Sequence, residues 1–359
     1  MIRSLLDGLL GDGLLGRPAP AAVGELVDEG NRLAAQGEHE RALACYDRAL
    51  AQDASLAVAQ NNRSLSLFAL GRTKEAWIAS EARFQLQEKT RRFAAAPPVP
   101  RWDGAPLAGR LLVLWEQGLG DVLQHLRFLP GAAARVGGLA FLCPAPLAGL
   151  VAHSFPGIEV LVARKGWSPD WRSYAAHVPV LSLPLALDAD PDALPAPPYL
   201  RAPGAQPRGE RRARLELGLV WRTSGDEPHR DCPLEDLIAL AGDGVRLVSM
   251  QFAPTEAERA VLAREGIEER VGDFLYTADA VLGVDAVVTA DTAMLHLAGA
   301  LGRPVHGLLN EPYSVRWTQS GSRTPWYPSA RLHRKRAGEP WRVAIDRAAR
   351  ALRENRAWD

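Results

Sequence analysis

A chain of 359 residues has length for roughly two or three domains. Its 42 Lys and Arg balance 42 Asp and Glu, so the basic signature expected of a duplex nucleic-acid partner is missing. No apolar run approaches the ~20 residues that span a bilayer, so no transmembrane segment is expected.

Residues 1–22 carry leucines broken by Asp7, Gly8, Gly11, Asp12 and Gly13, without the apolar core or cleavage site of a signal peptide. They read as a flexible N-terminal segment. Cys45, Cys143 and Cys232 lie far apart and show no metal-ligand spacing, which points to a reducing compartment rather than a disulfide framework. The expected address is the cytoplasm.

Residues 23–93 hold an internal repeat. Gly37 and Gly71 are 34 residues apart, as are Ala42 and Ala76. Leu26, Gly30, Leu33, Gly37, Ala42, Tyr46 and Ala49 stand where a paired-helix repeat needs small and apolar residues, and Ser64, Leu67, Gly71 and Ala76 come after them in a second, divergent unit. The pattern resembles two tetratricopeptide units. Two such units bury little alone, so they are expected to lean on the remainder of the chain, either holding a protein partner or a second copy or serving as a helical prop.

The stretch Ala94–Gly109 is proline-rich and predicted extended. Apolar runs at Leu111–Trp115, Leu139–Leu142, Val160–Val162 and Val178–Leu181 read as buried parallel strands of a first α/β domain over 104–189. An amphipathic helix after the first of them is predicted to end at Pro130. Six prolines between Asp190 and Gly209 mark a linker over 190–209. A second α/β domain over 210–335 comes next. It has strands at Leu217–Trp221, Arg246–Met250, Val287–Thr289 and Val305–Leu309, helices at Pro233–Ala241 and around Ala278–Leu282, and a capping box at Thr255–Glu258 opening a helix that ends near Gly266. A final helix over 340–356 has an apolar face of Trp341, Ile345, Ala348 and Leu352. It must pack on something, and the first domain is one candidate.

Ligands of open α/β sheets sit beyond the carboxyl ends of the strands, so the turns after Trp115, Trp221 and Thr289 are where chemistry is sought. After Thr289, Asp291 or Thr292 can cap a helix closed by Gly302 and stopped by Pro304. A strand feeding a helix start is an anion site, and Thr292 and His296 share one face of that helix. The plain alternative is a capped helix with His296 satisfied locally. After Trp115, Gly118 and Gly120 let the backbone approach a ligand, and Asp121 has His125 one helical turn on. Asp121 is then either a cap or a general base that takes a proton from a hydroxyl. After Trp221, Arg222, Thr223, Ser224 and Gly225 suit phosphate oxygens, though a surface loop would read the same. Asp226 and Glu227 would repel a diphosphate unless turned aside.

The turn GLGD, the strand GLVW with its loop ending RDCPL, the block ADTAMLHLAGALGRPV and the block WTQSGSRTPWYPSARLHR occur in that order. Together, from Ala57 to Arg350, they resemble the heptosyltransferase-like glycosyltransferases of family 9, and among them a bacterial branch with tetratricopeptide repeats ahead of the transferase. The resemblance implies a GT-B architecture: two Rossmann-like domains facing each other across a cleft, preceded here by a small all-α helical domain. It implies an inverting, metal-independent transfer of a sugar from a nucleotide-diphosphate donor to an acceptor hydroxyl, with no cofactor and no metal ligand. By position, Asp121, with His125 beside it, matches the family's base. Asp291, Thr292, Ala293 and His296 match the donor block, and Ser224 and Arg230 match loop positions facing the diphosphate. Glu311 is the candidate carboxylate for the ribose. The repeats suggest a protein acceptor, such as a flagellar or surface protein, and homo-oligomers are open. A lipopolysaccharide or other glycan acceptor is the alternative within the enzyme class, and a non-catalytic scaffold is the alternative outside it.

Overall fold

In the computed structural model, which describes residues 21–86, 97–164, 168–204, 214–223, 227–242 and 244–355, Gly37 and Gly71 both take a left-handed φ, +78° and +76°. Each closes a helix, where a residue without Cβ adopts that conformation at no steric cost. Helices α1 (Ala21–Ala35), α2 (His39–Gln52), α3 (Ala57–Ala69) and α4 (Thr73–Ser80) succeed one another as antiparallel pairs. Gly30 explains the small residues of the repeat: a Cβ there would lie 2.5 Å from Tyr46 Cε1. Tyr46 fills the groove with Val23, Val27, Leu33, Ala49 and Ala59. This helical unit also includes Val315–Gln319, whose Gln319 N–H donates to the Ala69 carbonyl at 3.1 Å.

The second unit, residues 99–314 and 320–359, is built on two sheets in which every strand pairing is parallel. In the first, β1 (Leu107–Leu114), β2 (Val136–Cys143), β3 (Glu159–Val162) and β4 (Ala176–Pro179) lie in the order β3-β2-β1-β4. The chain leaves β1 toward one edge and returns to the other side of β1. A crevice therefore opens at the carboxyl end of β1. The predicted helix after β1 does not end at Pro130. It runs as α5 (Leu119–His125), a 3-10 turn at Leu126–Phe128 and α6 (Leu129–Ala133), with Pro130 in the first turn of α6. Proline there removes no intrahelical hydrogen bond. The apolar run Val178–Leu181 is strand only to Pro179, and Val180–Ser182 turns into a 3-10 segment. Helices α7 (Ala148–Ser154) and α8 (Leu183–Ala186) complete this half.

The second sheet comprises β5 (Leu215–Val220), β6 (Val245–Ser249), β7 (Glu268–Glu269), β8 (Ala286–Ala290), β9 (Val305–Asn310) and β10 (Ala330–Lys335), in the order β10-β9-β8-β5-β6-β7. Its order reverses between β5 and β8, so its crevice lies at their carboxyl ends. Helices α9 (Leu234–Ile238), α10 (Glu256–Arg264), α11 (Phe274–Gly283) and α12 (Ala293–Ala300) connect the strands. The Thr255–Glu258 capping box is present, and Gly302, at φ +71°, closes α12. The last helix, α13 (Arg342–Asn355), packs on the second sheet rather than the first domain: Ala344, Ile345, Ala348 and Leu352 share a core with Leu217, Leu219 and Leu237. Strands β7 and β10 carry no clear sequence signal, because charged residues interrupt their apolar period.

The proline-rich segment is not an exposed tether where it is described. Tyr199 N–H donates to the Ala300 carbonyl at the end of α12 (3.1 Å), and Leu200 and Ala202 are buried. Among the described residues no helix is long and apolar enough to cross a membrane.

His306 on β9 and His333 on β10 are both buried, with Nδ1 of the first 2.9 Å from Nε2 of the second and the rings stacked. Burial first, then His333 and Arg331, hold His306 below the ordinary imidazole value. Burial first, then Arg347 and Arg331, do the same to His333. A folded pKa below the unfolded one means that acid favours the unfolded chain, so this stability is present above the ordinary 6.5 and is lost as pH falls below it. The double variant His306→Gln/His333→Gln should therefore lose less stability than wild type between about pH 7 and about pH 5 in urea titrations. Parallel pH profiles would reject the pair as the acid-labile element.

Candidate active site

The site is built where the two crevices meet. Gly120, in the turn after β1, faces α12 so closely that a Cβ there would stand 2.8 Å from His296 Cδ2, 3.2 Å from His296 Nε2 and 3.6 Å from Ala293 Cα. The glycine is required by this approach, since its φ is not left-handed. Helices α5 and α12 pack along this line. The GLGD turn and the ADTAMLH block, far apart in sequence, thus form one site.

Thr292, not Asp291, caps α12: its Oγ1 accepts from Met294 N–H at 3.1 Å and lies 3.0 Å from Thr289 Oγ1. Asp291 is buried, and its Oδ2 stands 3.2 Å from Arg230 Nη2. Arg230 also donates to Glu227 Oε2 at 2.6 Å, so Glu227 is neutralised within the loop. Thr223 N–H donates to Asp231 Oδ1 at 2.8 Å. The loop therefore brings Arg230 to Asp291, while Ser224, Gly225 and Asp226 lie outside the described residues. Arg222, read from sequence as a phosphate ligand, is instead paired with Glu258 at 3.1 Å. Trp221 Nε1 donates to the same carboxylate at 2.6 Å. Burial would raise the Glu258 carboxyl, but the hydrogen bonds from Arg222, the Thr255 N–H and Trp221 outweigh it and bring it to about 2.

Asp121 is half-buried, and its Oδ2 accepts from Gly118 N–H at 3.2 Å. It is a cap in this state, with its carboxylate held at the mouth of the turn. His125 is buried: its Nδ1 lies 2.8 Å from the Asp121 main-chain oxygen, and its ring lies near Phe128 and Trp326. Glu116 reaches across the β1/β4 crevice, its Oε1 accepting from Leu181 N–H at 3.3 Å. Glu311 is exposed after β9, where its Oε2 accepts from Ala337 N–H at 3.4 Å. Its neighbour Asn310 ties the strand end to the loop by donating to the His229 carbonyl at 2.6 Å.

Sequence reasoning does not single out Arg127, Tyr199 or Tyr327. Arg127 is buried, and it donates to the carbonyls of Gln124 (3.0 Å) and Trp326 (2.9 Å) and to the Tyr199 hydroxyl (3.2 Å). Its guanidinium also lies over the Tyr199 and Tyr327 rings, 4.8 and 5.1 Å from their centroids. Tyr327 OH is 2.9 Å from His296 Nδ1. Burial above all raises both phenols above their ordinary range, so both stay protonated at neutral pH. A signal for Arg127 is legible in hindsight: a cation set among leucines in LQHLRFLP. Among the described residues no group of three or more His, Cys, Asp or Glu is arranged to hold a metal ion.

No family model matches the chain. It is similar to protein FlbA of Caulobacter vibrioides, with 29% identity over 357 residues, covering 89% of this chain and 59% of FlbA. The chain thus spans about three-fifths of that relative's length. Among solved structures it is similar to E. coli heptosyltransferase WaaC with ADP-2-deoxy-2-fluoro heptose, at 17% identity and TM-score 0.46 over 68% of this chain and 99% of that one. It is also similar to a family 9 glycosyl transferase from Veillonella parvula, at 12% identity and TM-score 0.47 over 70% and 98%. A third is the iron-containing dodecameric glycosyltransferase TibC of enterotoxigenic E. coli, at 15% identity and TM-score 0.43 over 56% and 59%.

The close approach at Gly120 is testable. Gly120→Ala should destabilise the fold by about 1–3 kcal/mol through overpacking against His296 and Ala293. Gly118→Ala should cost less, because its Cβ would meet only the end of the Asp121 side chain, at 3.3 Å. Equal urea midpoints for the two variants would contradict this packing.

Proposed function

We propose that this chain is an inverting, metal-independent glycosyltransferase that moves a sugar from a nucleotide-diphosphate donor to an acceptor hydroxyl in the cytoplasm. The observation that carries the reading is the meeting of the GLGD turn with the start of α12 at Gly120 and His296. It sets a carboxylate and a capped helix start side by side at the carboxyl ends of two parallel sheets. Transfer with inversion needs one base and a stabiliser for the departing diphosphate. In this reading Asp121 takes the acceptor proton once the hydroxyl replaces Gly118 N–H as its partner. The N–H groups opening α12, with the dipole behind them, suit the leaving diphosphate, and Arg230 adds charge when it exchanges Asp291 or Glu227 for phosphate. In this reading residues 104–189 serve the acceptor and residues 210–335 the donor. Glu311, exposed after β9, is the carboxylate we assign to the ribose. Buried free cysteines fit a reducing compartment.

Asp121→Asn should lower kcat by about 10²-fold or more while nucleotide diphosphates still raise the melting temperature. Wild-type turnover in that variant would remove Asp121 as the base. A flat melting response of the wild type to every nucleotide diphosphate and nucleotide sugar would favour a non-catalytic scaffold.

We further propose a protein acceptor held by the helical unit. What supports it is a polar row across the repeat, where Asn31 Oδ1 accepts from Tyr46 OH at 2.9 Å and from Asn62 Nδ2 at 2.8 Å. Asn31→Lys with Asn62→Lys should raise KM for the protein acceptor several-fold and leave donor hydrolysis unchanged. An unchanged KM would favour a glycan acceptor that the repeats do not touch.

A further inference from the structure

Strands β9 and β10 end together: Asn310 and Lys335, their last residues, are partners in the parallel register, so their side chains leave the same face of the sheet. Lys335 is buried. Its ammonium donates to Asn310 Oδ1 at 2.7 Å and to the Arg336 carbonyl at 3.3 Å, and it lies 5.1 Å from the centre of the Trp341 ring. Asn310 Nδ2 donates in turn to the His229 carbonyl at 2.6 Å. The direction of that amide is settled by its surroundings. A peptide carbonyl only accepts, so the NH2 end must face His229 and the oxygen is left for Lys335. A cation on Oδ1 polarises the amide and strengthens its N–H as a donor. His229 is the middle residue of the 3-10 turn Pro228–Arg230. Arg230, the next residue, reaches Asp291 Oδ2 at 3.2 Å and Glu227 Oε2 at 2.6 Å.

We infer that Asn310 and Lys335 are positioning residues for Arg230, which hold its turn through the His229 carbonyl and so keep the guanidinium beside the start of α12 for a diphosphate. A lone 3-10 turn is weakly held by its own hydrogen bonds. Here they run from Arg230 N–H to the Glu227 carbonyl (3.0 Å) and from Asp231 N–H to the Pro228 carbonyl (3.1 Å). Thr223 and Trp221 fasten the far side of the loop, at Asp231 and Cys232, whereas Asn310 grips the turn itself. That grip matters because the guanidinium must leave Asp291 or Glu227 to meet a phosphate. With the neighbouring main chain fixed, only side-chain torsions have to change, and less conformational entropy is lost on binding. A buried ammonium costs free energy that a neutral residue at the end of β10 would not; the hold on Asn310 is what Lys335 adds. The grip on the turn is independent of any ligand, and its effect on a diphosphate rests on the proposed donor site.

Asn310→Asp separates the grip from stability: the carboxylate keeps Lys335 as an ion pair but cannot donate to His229. Asn310→Leu removes the donor without adding charge. The measurement is hydrogen–deuterium exchange of the full-length protein, together with titration of two ligands. These are inorganic pyrophosphate and whichever of ADP, GDP, UDP and CDP raises the wild-type melting temperature most. In both variants the amides of Arg230 and Asp231 should exchange severalfold faster while exchange in the strands of the second sheet is unchanged, a split that general destabilisation would not produce. Kd for both ligands should rise about three- to tenfold, the worth of one lost hydrogen bond. Lys335→Met should move both readouts in the same direction by less. Unchanged exchange at Arg230 and Asp231 would overturn the inference, as would faster exchange with an unchanged Kd. A rise in Kd confined to Asn310→Asp would also overturn it, as the mark of added charge alone. If the leucine variant does not fold, exchange in Asn310→Asp carries the test. A wild type that binds none of these ligands, with exchange quickened in the variants as expected, would count against the donor site and not against the grip on the turn.

Discussion

Everything at the candidate site depends on one contact made without a side chain. At Gly120 the turn after β1 comes against α12 at Ala293 and His296, closer than any Cβ would allow. Parallel sheets make that contact useful. In each, the chain reverses direction beside a central strand, β1 in one and β5 with β8 in the other, and each reversal leaves an open crevice at a carboxyl edge. Bringing α5 onto α12 sets the turn that carries Asp121 beside the helix that opens after Thr292.

The charges around that turn and helix are already engaged. Arg230 is shared between Asp291 and Glu227, Arg222 is held by Glu258, and Asp121 accepts from a backbone N–H. An arriving anion must therefore exchange partners rather than fill a bare positive surface, which favours a ligand that matches several groups at once over a simple ion. The neutral overall charge agrees with this: attraction is local and short-ranged. Arg127 is engaged too: its buried guanidinium is satisfied by the Gln124 and Trp326 carbonyls, the Tyr199 hydroxyl and ring faces.

The helical unit obeys a different logic. Its period of 34 residues repeats a left-handed glycine at the corner within each helix pair, and Gly30 lets Tyr46 sit directly against the helix before it. The groove core is small, and Val315–Gln319 joins the unit from a distant part of the chain. Two repeats that bury little by themselves gain contact this way. The need for such support is legible in the repeat count, whereas the segment that provides it is not.

Local information suffices for much of this. Apolar runs mark eight of the strands, because strands buried on both faces leave an uninterrupted signature. Thr255–Glu258, Gly302 and the glycine pair in the repeats are legible because caps and left-handed turns are set by a few neighbouring residues. The two halves of the site, GLGD and ADTAMLH, are equally visible as strand-to-helix turns. What the sequence could not decide is every question whose answer lies on another element. Thr292 rather than Asp291 is the cap because Arg230 draws Asp291 away. Arg222 goes to Glu258, His125 Nδ1 meets the Asp121 main-chain oxygen, and the last helix packs on the second sheet. The contacts of Arg127 with Tyr199 and of His296 with Tyr327 join residues on separate stretches, and no spacing along the chain encodes them. Backbone preference acts over a few residues and is written locally, whereas the direction of a hydrogen bond depends on which distant oxygen or nitrogen the fold brings within about 3 Å.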